Sequence, residues 1–178
     1  SRAATSPTTI TLGGFTVSSL IVASVARPVC WSGRVPLRTM ATGVSGERPP
    51  HAELEHALAS VYGVEDCVVF VSGYVTNVST IACLFGPKDL ILHDALIHNS
   101  VLQGIRLSGA QQRGFPHNDA EALDAILKRE RARFERVLIV LEGVYSMDGD
   151  VPDLPAFVEI KHRQRAFLMV DEAHSFGV

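Results

Sequence analysis

The sequence predicts an α/β fold: three layers, with helices packed on both sides of a mostly parallel sheet. Three observations carry that expectation. Short apolar, β-branched runs recur along the chain, continuous rather than alternating, as in strands covered on both faces. Segments with helical spacing lie between them, and strand–helix alternation produces parallel strands with right-handed crossovers. Each run then ends in a polar or glycine-containing segment, which is where open α/β sheets bind ligands.

In chain order, the first helix is expected where Leu54, Leu58 and Val61 share a face, with Pro49 and Pro50 before it and Gly63 after it. Cys67–Val71 reads as the first strand. A second helix is expected from Tyr74 to Phe85, stopped by Gly86 and Pro87. Leu90–Leu92 is the next strand and Ser100–Leu107 the third helix. A fourth helix opens on Asn118 and Glu121 in capping-box spacing and sets Leu123, Leu127 and Phe134 on one side. Val137–Leu141 is a strand. A last helix, near Leu154–Arg163, follows Pro152 and holds Pro155 in its first turn. Phe167–Val170 is the final strand.

The chain has 178 residues, 47% of them hydrophobic, and a net charge of −3. That balance excludes a strongly basic nucleic-acid surface, and no apolar run reaches the roughly 20 residues of a membrane span. Cys30, Cys67 and Cys83 form no C-x-x-C pair and read as buried thiols. Residues 1–46 contain four Arg and no acid, leaving 12 basic against 19 acidic residues in 47–178. Such a leader either has transit-peptide composition, implying an organelle, or is a divergent segment on a cytoplasmic protein. Residues 47–178 form the remaining unit.

The segments just past the strand ends are the most informative. Ser72, Gly73 and Tyr74 open a helix after Val71. His93, Asp94 and His98 come after Leu92. Glu142, Gly143 and the run from Tyr145 to Gly149, with Ser146, come after Leu141. Asp171, Glu172 and His174 come after Val170. Singly these are turn, cap or buried-polar chemistry. Together they fit pyridoxal 5'-phosphate. A helix N-terminus with a close glycine binds phosphate, and a histidine supplies a flat partner for the ring. A carboxylate keeps the ring nitrogen protonated; at about 3 Å and an effective dielectric near 20 that pairing is worth roughly 5 kcal/mol, about 4 pKa units. Ser146 and His174 can donate to the phenolic oxygen.

From Val44 onward the strings SGERPPHAELE, VFVSGYVTNVSTI, LHDALIHNSVLQGIRLSGA, FPHNDAEAL, LEGVYSMDGDVPDL and FLMVDEAHSFGV resemble the α-oxoamine synthases, pyridoxal-phosphate enzymes of fold type I. The resemblance implies the amino-terminal portion of the cofactor domain, in 47–178. It places Ser72, Gly73 and Tyr74 on the phosphate side, His98 on the ring, Asp171 at the pyridinium nitrogen, and Ser146 and His174 by the phenolic oxygen. Glu142, Asp148 and Asp150 become structural. The implied activity joins an amino acid to an acyl thioester, on coenzyme A or a carrier protein, with loss of carbon dioxide in most members. A homodimer or heterodimer is implied too. The Schiff-base lysine would lie some tens of residues past VDEAH, beyond Val178; Lys88, Lys128 and Lys161 match no such motif. Residues 1–43 do not resemble the family's amino-terminal segment.

Other readings compete. LMVDEAH reads like the Walker B segment of a nucleotide-driven helicase, but no Gly-Lys pair exists for a phosphate loop. Zinc on His93, Asp94 and His98 lacks a suitable spacing. An aminotransferase, or a non-catalytic partner subunit, would share much of the pattern.

Overall fold

The computed structural model describes residues 49–63 and 67–177. The expectations about residues 1–46, including Cys30, lie outside the described residues. Helix α1 (Pro49–Tyr62) takes both prolines into its first turn, where a missing N–H costs nothing. It buries Glu55 and Leu58, while Val61 is exposed. The buried face is thus turned from the expected Leu54–Leu58–Val61 stripe, because Glu55 Oε1 accepts the Val69 N–H at 3.0 Å.

Cys67–Val71 is not a strand. Cys67 and Phe70 are buried, but no ladder forms among the described residues, one amide goes to Glu55, and Val71 is 84% exposed. Helix α2 (Gly73–Leu84) starts at the N-cap Ser72, whose hydroxyl accepts the Val75 N–H, and stops before Gly86. Strand β1 (Leu90–Asp94) leads to α3 (Asn99–Ser108), capped by His98 and ended by Gly109 at φ 70°.

Strand β2 (Gln111–Phe115) has no counterpart among the expected strands. Its sequence, QQRGF, is polar because it is an edge strand, and only Phe115 is buried. Helix α4 (Ala120–Glu130) is capped by Asp119, not Asn118. Asn118 sits at φ 55° with its N–H donated to Asp94, so the helix begins one residue later than the capping-box spacing suggests. Phe134 lies past α4, after a 3-10 turn (Arg131–Arg133), yet packs into the same core. Strand β3 (Val137–Glu142) is buried throughout. Helix α5 (Leu154–Gln164), capped by Asp153 with Pro155 in its first turn, precedes β4 (Phe167–Asp171).

The four strands among the described residues are all parallel, in the order β2-β1-β3-β4. One face of the sheet packs Ile91, Leu138 and Val140 against Ile81, Val101 and Ile105 of α2 and α3. The other packs Leu90, Leu92, Ile139 and Leu141 against α4 and α5 through Leu123, Leu127, Phe157 and Ile160. The chain therefore leaves β1 across one face and β3 across the other. That reversal between β1 and β3 is a topological switch point, and it opens a crevice at the strands' carboxyl ends.

Candidate active site

Helix α2 presents its amino terminus at this end of the sheet. Ser72 accepts the Val75 N–H with its hydroxyl and the Thr76 N–H with its carbonyl oxygen. The N–H groups of Gly73 and Tyr74 have no acceptor among the described residues. They are donors at the positive end of a helix dipole, suited to an anion.

His98, just beyond β1, is held through its backbone and its ring. Its N–H donates to Glu142 Oε1 at 2.7 Å, across the switch point from β1 to β3. Its Nδ1 accepts the Ser100 N–H at 3.2 Å and lies 2.7 Å from the Ser100 hydroxyl. Asn77, buried in α2, donates from Nδ2 to Ser100 Oγ and to Asp171 Oδ2, each at 2.8 Å. Asp171 Oδ1 accepts the Ala173 N–H at 3.0 Å. Two of the expected site residues, His98 and Asp171, are thus joined through Ser100 and Asn77, whose roles the sequence did not disclose. The available signal was weak, because Asn77 shares the buried face of α2 with Thr76 and Thr80 as well as Ile81.

Glu142 pairs with Asp171 in the β3–β4 register and is buried. Burial raises its pKa and the Asp171 charge raises it further, against the lowering effect of the His98 N–H. The Glu142 carboxylate accepts the His98 backbone N–H and so positions His98.

Ser146 and His174 stand exposed on loops flanking the crevice. The Ser146 loop is closed by Gly149 N–H to Tyr145 O at 2.7 Å and Tyr145 N–H to Asp150 O at 3.0 Å. It is anchored beside a second polar group: Asp94, fully buried, accepts His117 Nδ1 at 2.8 Å, the Asn118 N–H and the Leu96 N–H. His117 also reaches Asp150 Oδ2 at 3.2 Å. The bond to Asp94 raises the His117 pKa and Asp150 adds to it. His93 is separate, with Nδ1 on the Asp94 carbonyl at 2.9 Å. No side-chain hydrogen bond joins Ser146 or His174 to the His98–Asp171 network among the described residues. The His174 loop is held close to β3, since Gly143 donates its N–H to Asp171 O and a Cβ on Gly143 would lie 2.9 Å from Ser175 Cβ.

The fit to pyridoxal phosphate can be tested on these contacts. Asp171 is a buried carboxylate with two hydrogen bonds and, among the described residues, no Lys, Arg or His within ion-pair distance. A buried charge of that kind calls for a cation, and a protonated pyridine nitrogen is one. The donors at Gly73 and Tyr74 suit the phosphate. The residues fit the group.

A parallel sheet with this switch point and these two ends of a binding crevice defines the class; the family model for aminotransferase class I and II matches residues 39–178, and the chain belongs to that family. Within it the chain is similar to α-oxoamine synthases. It is 44% identical over 135 residues to 8-amino-7-oxononanoate synthase from Granulibacter bethesdensis, covering 76% of this chain and 35% of that one. A serine palmitoyltransferase from S. paucimobilis, solved with bound PLP and myriocin, superposes with a TM-score of 0.71 at 36% identity, over 78% of this chain and 36% of that one. An 8-amino-7-oxononanoate synthase from Francisella tularensis gives 0.60 at 30% identity, over 74% and 37%. The chain spans about a third of the length of these relatives.

Proposed function

We propose that the full-length protein carrying this sequence is a pyridoxal-phosphate-dependent α-oxoamine synthase, condensing an amino acid with an acyl thioester to give an α-amino ketone, carbon dioxide and the free thiol. The observation that carries the reading is Asp171: a buried carboxylate with no cation at ion-pair distance among the described residues, at the carboxyl end of β4, joined to His98 through Asn77 and Ser100. Both kinds of relative, the oxononanoate synthases and the serine palmitoyltransferases, support the condensing reaction over simple amino-group transfer.

Pyridoxal phosphate, when bound, supplies an electron sink that stabilises negative charge at the amino acid's α-carbon. The chain's own residues account for its placement. Gly73 and Tyr74, behind the Ser72 cap, donate backbone N–H groups to the phosphate. His98 offers a flat ring to stack on the cofactor. Asp171 keeps a proton on the ring nitrogen, and Ser146 and His174 donate to the phenolic oxygen. The thioester is carried on coenzyme A or a carrier protein, and a homodimer or heterodimer completes the site.

The decisive experiment is Asp171→Asn in the full-length protein. It retains the size and removes the charge. If half of the roughly 5 kcal/mol ion pair is expressed in the rate-limiting barrier, exchange of the amino acid's α-proton slows by about 10²-fold, with the cofactor still bound. Exchange at the wild-type rate with cofactor fully bound removes Asp171 from this role, and the reading with it.

A further inference from the structure

We infer that Asn77 is a positioning residue that sets the carboxylate of Asp171 and the ring of His98 relative to one another. The inference rests on the function proposed above and deepens it. An amide nitrogen has two hydrogens, and Asn77 uses both on buried acceptors at 2.8 Å, Asp171 Oδ2 and Ser100 Oγ. The orientation of the amide is forced, because an ionised carboxylate can only accept; the nitrogen must face Asp171.

The direction of the remaining bonds is then determined. Ser100 Oγ accepts from Asn77, so its own hydrogen is available to His98 Nδ1 at 2.7 Å. Nδ1 also accepts the Ser100 N–H. Nδ1 is therefore the unprotonated nitrogen, and in the neutral ring the hydrogen sits on Nε2. One side chain on α2 thus fixes which oxygen of Asp171 is occupied, and through Ser100 fixes the rotation and tautomer of His98. The relay crosses three elements, from β4 through α2 to α3. Asn77 and Ser100 are 1% and 0% exposed, so water does not compete for these bonds. Asn77 Oδ1 meanwhile has no partner among the described residues. An unsatisfied buried oxygen opposes stability, so a purely structural role is a poor explanation for an asparagine here.

The test is a double-mutant cycle on the dissociation constant of pyridoxal phosphate, measured by titrating the full-length apoprotein. Asn77→Ala is expected to weaken binding roughly tenfold in the native background and less than about twofold in Asp171→Asn, since the group it acts through is already altered. The pH dependence of the bound cofactor's visible absorption should move in Asn77→Ala in the same direction as in Asp171→Asn. Additive losses overturn the inference, as does a spectrum that Asn77→Ala leaves unmoved; both leave the proposed function standing. A wild-type protein that takes up no pyridoxal phosphate overturns both. Should Asn77→Ala fail to fold, the cycle of Ser100→Ala with His98→Ala decides instead: non-additive losses support the relay and additive ones overturn it.

Discussion

At the scale of single residues, the chemistry was legible where the chain announces it at strand ends. Asp171 ends β4 and His98 follows β1, as the sequence expects, whereas Ser72–Tyr74 opens α2 without the expected strand before it. Their connections were not legible, because Asn77 and Asp171 are 94 positions apart and Asn77 and Ser100 are 23 apart. No local spacing encodes such a bond. The cap of α4 shows the same limit: Asn118 and Asp119 are both capping residues, and only the distant carboxylate of Asp94, taking the Asn118 N–H, decides between them. Glu142 permits a prediction of sign. Its folded-state pKa lies above the ordinary 4.5, chiefly through burial, so the folded state binds that proton more tightly than the unfolded one. The associated stability is full below about pH 4.5 and is lost as pH rises through the raised value. Glu142→Gln keeps an oxygen for the His98 N–H and abolishes the titration. The variant should therefore gain stability relative to wild type as pH rises, read as a growing difference in urea midpoints between pH 4 and 8. His117, also raised, slopes the same way in both proteins and cancels. A difference flat with pH would show that Glu142 is not penalised by burial.

At the scale of elements, continuous apolar runs identified β1 and β3, which are buried almost throughout, and β4, whose apolar run is only partly covered. The same rule failed twice for physical reasons. It assigned a strand to Cys67–Val71, an apolar run buried only at Cys67 and Phe70 and making no ladder among the described residues. It passed over β2, where ladder bonds to β1 form in a sequence too polar to signal them. The contact between α2 and α3 is governed by Gly104. A Cβ there would lie 3.0 Å from the Asn77 carbonyl oxygen, 3.0 Å from Ile81 Cβ and 3.2 Å from Val78 Cα. Two of those three atoms are backbone, so the helices themselves must part. Gly104→Ala should cost about 1–3 kcal/mol, seen as a lower urea midpoint at unchanged slope. A neutral substitution would show slack in this interface.

At the scale of the whole molecule, the two edges of the sheet differ. β2 faces outward with Gln111, Gln112 and Arg113, which discourage further pairing. β4 has no outer neighbour among the described residues, and Phe167 at its start and Val71 nearby in sequence to α2 are exposed. The 178-residue chain expressed alone should therefore self-associate with rising concentration. Light scattering that finds a concentration-independent monomer would remove this expectation. The position of β1 inside the strand order has a consequence for synthesis on the ribosome. Leu90, Ile91 and Leu92 need a neighbour on each side, and the second neighbour, β3, begins at Val137, 43 positions after Asp94. At about 5–20 residues per second that interval lasts roughly 2–9 seconds. For that time the nascent chain carries the apolar residues of β1 with at least one flank open, long enough for a chaperone to engage them before the reversal of direction that forms the crevice has been made.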